Sequence, residues 1–166
     1  VRTVASAQAQ AREEKRRSSK ARLTVLSLGV QSTTLALMAA RGEIEVPDAA
    51  IFADTQWEPR AVYEHLEWLM SPGVLPFPVY RVTAGSIRDD IKRRRTPTSE
   101  RFAAVPWWIV NSDGTESLGS RQCTSEYKLT PIMHEVRRLL GKSNRDRIPA
   151  GMVRVMLGIS MDEMIA

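Results

Sequence analysis

One cysteine in 166 residues leaves Cys123 without an intramolecular partner and supplies no thiol set for a structural zinc or an iron–sulfur cluster. A reducing, cytoplasmic setting is the one that fits. Long hydrophobic runs are also missing: nothing approaches the roughly 20 apolar residues of a membrane span, and the first residues lack the apolar stretch of a secretory signal. A soluble, unprocessed chain with no membrane partner is expected, and Val1 in place of an initiator Met points to an alternative start codon or a trimmed product. The sequence carries no internal repeat either.

What the chain does contain is ordinary for a globular protein, 43% hydrophobic and 26% charged residues, so wholesale disorder is not the expectation. Its length suits one domain around a single core. The net charge of +5 is unevenly placed: residues 1–22 carry seven basic side chains against two acidic ones, and the remainder has 17 of each. Large apolar residues are almost absent from Val1 to Lys20, so this segment cannot bury enough surface to offset the entropy of ordering. It reads as a flexible basic arm, either simply solvated or offered to a nucleic-acid or protein partner.

From Leu23 onward strands and helices alternate. Leu23–Leu28 is a short apolar run broken by Gly29; Ser32, Thr33 and Thr34 are helix-capping types ahead of Leu35–Arg41, and Gly42 sits where a helix would stop. Ala49–Ala53 reads as a second buried strand ending at Asp54, and after Pro59 the residues Val62, Leu66, Leu69 and Met70 recur at helical spacing. A third strand is expected at Val79–Val82, then a helix from an N-cap at Ser86 through Ile91 toward Arg95. Residues 96–121 break the rhythm with Pro97, Pro106, Gly114 and Gly119 around Trp107–Val110, as a long loop or small hairpin inserted into the domain. A helix at Pro131–Leu140 and a strand at Val153–Leu157 complete the pattern. The alternation predicts an α/β fold over residues 23–166, an open, mostly parallel twisted sheet with helices on both faces.

Ligands of such sheets collect beyond the carboxyl ends of the strands, near the point where strand order reverses. The segments at those ends here are Ser27–Thr34, Asp54–Glu58 and Gly158–Glu163. The first joins hydroxyls, a glycine that lets backbone approach a ligand, and the start of a helix, a combination that favours anions through exposed amides and the helix dipole. It is not of the Walker type, because no Gly-Lys-Ser/Thr follows. Taken alone, the string fits a capped helix after a glycine turn as well as it fits a phosphate loop.

Four segments in order then resemble one family. Ser27-Leu28-Gly29-Val30-Gln31-Ser32-Thr33 resembles the PP-loop signature Ser-Gly-Gly-x-Asp-Ser-Ser/Thr of phosphoadenosine phosphosulfate (PAPS) reductases, ATP sulfurylase small subunits and N-type ATP pyrophosphatases. Leu28 stands in a glycine place and Gln31 in that of the aspartate. Phe52–Pro59 with Val62-Tyr63-Glu64 is similar to the family's Asp-Thr-Gly stretch, with Gln56 for glycine. Arg121-Gln122-Cys123-Thr124 leading to Tyr127-Lys128 and Pro131 is similar to the Arg-x-Cys-Thr, Lys and Pro block of the reductases. Gly158–Glu163 resembles a late Gly-Ile-Arg-x-Asp-Glu segment, with Ser160 for arginine.

The resemblance spans most of Leu23–Glu163 and implies a Rossmann-like fold of the adenine nucleotide alpha-hydrolase type, divergent from its relatives and shortened, since relatives continue past this last segment. It implies that Ser27, Gly29, Gln31, Ser32 and Thr33 hold phosphate, that Asp54 lies near the sugar or base, and that Arg121 and Lys128 face the anionic end of the substrate. Trp57 is read either as stacking on a base or as core packing. Asp162 and Glu163 are read either as helping to place Mg2+ against phosphates or as solvated capping residues. The ligand implied is ATP or PAPS, with chemistry at the α-phosphate or in sulfur metabolism. The sulfur-attacking cysteine of the reductases lies in a Glu-Cys-Gly segment that this sequence lacks. Three outcomes therefore stay open: a PP-loop enzyme, a catalytically silent nucleotide-binding module, and a reductase that borrows a partner's cysteine. Self-association is left open too.

Overall fold

The computed structural model describes residues 23–29, 31–93, 108–118 and 123–159. The basic arm, most of the 96–121 insertion, Arg121, Asp162 and Glu163 lie outside the described residues. Strands β1 (Leu23–Ser27), β2 (Ala49–Ala53), β3 (Val79–Val82) and β6 (Val153–Met156) form one four-stranded sheet in the order β3-β2-β1-β6. Every pairing is parallel, with Val25 opposite Ala49 and Val155, and Ile51 opposite Tyr80. Helices α1 (Ser32–Ala40), α2 (Arg60–Leu69), α3 (Ile87–Arg93) and α4 (Thr130–Leu139) complete the layers. A separate antiparallel hairpin joins β4 (Trp108–Val110) to β5 (Glu116–Leu118), so the insertion is a hairpin at least over these residues.

The core follows from strand alternation. Leu26, Leu28, Ala50 and Phe52 point to one side, where Ala36 and Ala39 of α1 and Leu66 and Leu69 of α2 cover them. Leu23, Val25 and Ile51 point to the other, against Val136 of α4 with Ile132, Leu139 and Leu140 around it. Both faces of the central strands are therefore sealed, which is why β2 reads as an unbroken apolar run and β1 as a largely apolar one rather than as alternating strands. The face that α1 turns inward is made of small side chains, Ser32, Thr33, Ala36 and Ala39, and these let the helix lie close to the sheet. Among the described residues no helix is long and apolar enough to cross a membrane.

Two local expectations change. Gln31 already has helical dihedrals and α1 starts at Ser32 with no side-chain cap. Ser32, Thr33 and Thr34 are thus helical residues rather than caps, and their hydroxyls are free to serve other partners. The expected helix at Pro131–Leu140 is the second part of a longer one: a π-helical segment, Thr124–Leu129, runs directly into α4. Ser86 does cap α3, its Oγ accepting from the Asp89 amide at 3.2 Å.

Candidate functional site

Strand order reverses at β1, because the chain moves outward from β1 to β2 and β3 and returns to β6 on the other side. The carboxyl end of β1 is therefore the switch point of the sheet. There the chain leaves the sheet through Leu28 and Gly29 and enters α1. Gly29 is exposed, and a Cβ built on it meets nothing within 4 Å. The fold itself does not require a glycine here; the bare backbone faces open space.

The hydroxyls assigned to phosphate from sequence have other partners. Thr33 Oγ1 donates to the Gly29 carbonyl at 3.2 Å, and the Thr33 amide donates to the same oxygen at 3.1 Å. Ser32 Oγ accepts from the Gly158 amide at 3.3 Å. Both side chains are buried and fix the shape of the turn, so the loop lines the cleft with Gly29 and Ser27, while Gln31, exposed at the N-cap of α1, accepts from the Thr34 amide at 3.3 Å through its carbonyl. Gly158 lies so close behind this turn that a Cβ on it would fall 2.5 Å from the Ser32 nitrogen and 2.7 Å from the Gln31 carbonyl carbon.

In front of the loop is a cleft of about 600 Å3. Its walls are apolar, from Leu28 and Phe52 at the sheet, Val62 and Leu66 on α2, and Ile132 on α4, while Gly29, Thr33, His65, Glu58 and Lys128 supply polar groups. Thr124, Lys128 and Leu129 all line it, a spacing of four and five residues that the wider π-helical turn brings onto one face. Lys128 Nζ is 3.7 Å from Glu58 Oε1, which also accepts from Thr55 Oγ1 at 3.0 Å. Of the two cations expected at the anionic end, Lys128 is at the cleft, and Arg121 falls outside the described residues. Cys123 is half-buried at the start of the π-helical segment.

Asp54 is 2% exposed and its carboxylate is fully engaged. Oδ1 accepts from the Gln56 amide at 2.8 Å and the Tyr63 hydroxyl at 2.9 Å; Oδ2 accepts from Arg81 Nε at 2.9 Å and Nη2 at 2.6 Å. Burial pushes the carboxyl upward, but the hydrogen bonds from Arg81, Gln56 and Tyr63, with the Arg81 charge, outweigh it and hold the group below its ordinary value. The Arg81 guanidinium also lies over the Tyr63 ring, 5.2 Å from its centroid. Asp54 thus braces the segment that leads to Glu58. Trp57, 53% exposed and outside the cleft lining, is not a core residue, so that reading of it is corrected.

Gln56 has φ +56°, a left-handed conformation, and it occupies the place where the resembling motif carries glycine. Replacing Gln56 by Gly should raise stability by about 0.5–1 kcal/mol, because the left-handed penalty of a side-chain-bearing residue exceeds glycine's extra chain entropy and one exposed bond from Gln56 Nε2 to Thr83. Urea unfolding checks this. A lower midpoint at unchanged slope would mean that the side-chain bond dominates.

Sequence reasoning passed over His65 and Arg81 as site residues, and gave Glu58 and Tyr63 no role of their own within the segments that contain them. His65 had a visible signal, a polar ring on the face that Val62, Leu66 and Leu69 define. Arg81 had none, since its pairing with Asp54 spans 27 residues. Among the described residues Asp54 is saturated, Glu58 is paired, and no cluster of three metal-ligating side chains occurs; Asp162 and Glu163, the residues read from sequence for Mg2+, lie outside them.

Fold and site together define an α/β protein whose cleft opens at the switch point of a parallel sheet, between a strand–loop–helix turn and a π-helical segment bearing a lysine. Comparison with protein-family models, with curated proteins and with solved structures finds no match to this chain.

Proposed function

We propose that this chain binds an adenine nucleotide in the cleft beside Gly29 and acts at its α-phosphate, as a Rossmann-like protein of the adenine nucleotide alpha-hydrolase type. The observation that carries the reading is the coincidence at one end of the sheet: the PP-loop-like turn at the switch point, the Asp54–Glu58 segment, Lys128 and Gly158 all meet there. The parallel sheet brings the segments after β1, β2 and β6 to one end by itself; what supports the reading is that the remaining segment, through Lys128 on the π-helical turn, faces the same cleft and pairs with Glu58.

In this reading the apolar walls take the base and sugar, and main chain at Gly29 and Gln31 meets the phosphates with the positive end of the α1 dipole behind it. Lys128 leaves Glu58 for a phosphate oxygen, exchanging one carboxylate for a more highly charged partner. A nucleophile attacking the α-phosphorus forms one phosphorus bond as the bond to the bridging oxygen breaks, and pyrophosphate departs with the electron pair. Preorganised amides and Lys128 stabilise the charge that develops on it.

A second reading, binding without turnover, draws support from Gln31 in place of the motif's aspartate and from the engagement of Asp54 and Glu58, which leaves the described site without a free carboxylate. Titration calorimetry with ATP, and separately with PAPS, each with and without magnesium, should give binding with a dissociation constant on the order of 10–100 µM. Pyrophosphate release then separates the two readings. No heat from either nucleotide at millimolar concentration would remove both.

A further inference from the structure

His65 is left without a role by the nucleotide reading. On α2 it follows Val62 by three residues and precedes Leu69 by four, so it shares the apolar face, where a leucine would bury more surface. The ring is half-buried, lines the cleft, and brings Nε2 to 3.0 Å from Thr33 Oγ1. Thr33 has one hydroxyl proton, and it is directed at the Gly29 carbonyl. With its proton on the Gly29 carbonyl, the oxygen accepts from the ring in the tautomer that carries a proton on Nε2, and this tautomer is part of the proposal below. Trp68, with its ring centroid 5.4 Å away and tilted by 36°, leans on the imidazole and restricts its rotation.

A directed relay results, from the cleft wall through Thr33 to the one glycine of the turn whose backbone faces open space. Two bonds converge on the Gly29 carbonyl, from the Thr33 amide and the Thr33 hydroxyl, and only the second depends on how the hydroxyl is turned. A donor at the position of Nε2 turns it that way, because an oxygen that accepts from the ring must point its own proton elsewhere. An apolar residue at 65 would leave the hydroxyl free to rotate and the Gly29 peptide less firmly held.

We propose that His65 is a positioning residue for the anion-binding turn, holding the Gly29 peptide through Thr33 in the orientation that receives a phosphate. This rests on the nucleotide reading and adds to it a residue outside the four resembling motif segments. The chain's other histidine, His134, is exposed on α4 beside a different hollow, at the end of β3, and serves as an internal control.

The test uses the whole chain with 15N-labelled histidine and ATP as the probe. Ring spectra of the wild type should show a proton on Nε2 of His65, and saturating ATP should shift the His65 ring signals while leaving those of His134 in place. His65→Leu should weaken ATP binding about tenfold, the loss of one oriented hydrogen bond, with little change in melting temperature. His65→Gln, whose amide nitrogen can donate from the same direction, should recover most of that loss. ATP binding of wild-type strength in His65→Leu, or His65 signals unmoved at ATP saturation, would overturn the proposal while the nucleotide reading stands. Absence of ATP binding in the wild type would bring down both.

Discussion

Replacing Gly158 by alanine should cost the protein about 1–3 kcal/mol of stability through overpacking and should weaken nucleotide binding at least tenfold. The new Cβ would fall 2.5 Å from the Ser32 nitrogen, 2.7 Å from the Gln31 carbonyl carbon and 2.8 Å from the Ser32 Cα. All three are backbone atoms at the N-cap and first residue of α1, and no rotamer change relieves the overlap. Either the chain beyond β6 moves outward, losing the Gly158–Ser32 bond, or the turn itself shifts. Both displace the groups proposed to receive phosphate. Gly29→Ala is the matched control, since a Cβ there meets nothing and no positive φ is involved. It should leave the melting temperature near that of the wild type and still reduce binding, because its methyl group fills the space into which the bare backbone opens. Melting curves and ATP titrations of the two variants make the comparison. A Gly158→Ala protein that binds ATP like the wild type would show that the contact behind the turn does not govern the site.

How much of this could be read from the sequence depends on the range of the interaction. β1 and β2 were legible, at 23–28 and 49–53, because strands in the middle of a parallel sheet appear as apolar runs between turn residues; the edge strand β3 was legible at 79–82 from its β-branched and aromatic residues, and β6 fell within one residue of its expected end. The hairpin at 108–118 was legible as one of two alternatives. The π-helical segment was hidden: in Thr124–Leu129 only Tyr127 is buried, so the string carries no apolar period. Tyr127 is held instead by a hydroxyl bond to Asp90 Oδ2, 37 residues away, and burial together with that carboxylate raises its pKa. The same limit applied at the site. Ser32 and Thr33 had the residue types of a phosphate loop, but Ser32 accepts from Gly158 and Thr33 lies within hydrogen-bond distance of His65, neighbours that tertiary packing alone brings near.

Asp54→Asn should lower stability by about 2–4 kcal/mol at pH 7, equivalent to a fall in melting temperature on the order of 5–15 °C for a chain of this size. The carboxylate satisfies four donors, two on each oxygen, and a carboxamide has only one oxygen. If that oxygen faces Arg81, the amide nitrogen opposes the Gln56 amide and the Tyr63 hydroxyl; turned over, it opposes two guanidinium hydrogens. Because the Arg81 side chain is 49% exposed, water softens the second arrangement, and the loss stays below that of a fully buried orphan charge. The pH dependence has a definite sign. The folded-state pKa of Asp54 lies below its ordinary 3.8, so the ionised network stabilises the fold above about pH 4, and that contribution disappears as pH falls through the folded value. The wild type should therefore lead the variant by its full margin at neutral pH, and the margin should shrink toward pH 3, with thermal unfolding from pH 3 to 7 as the measurement. A margin under 2 °C at pH 7, or one that persists unchanged into acid, would show that the four bonds to Asp54 are not what braces the end of β2. Because this network orients the segment carrying Glu58, loss of Asp54 should also loosen the pairing of Glu58 with Lys128 across the mouth of the cleft.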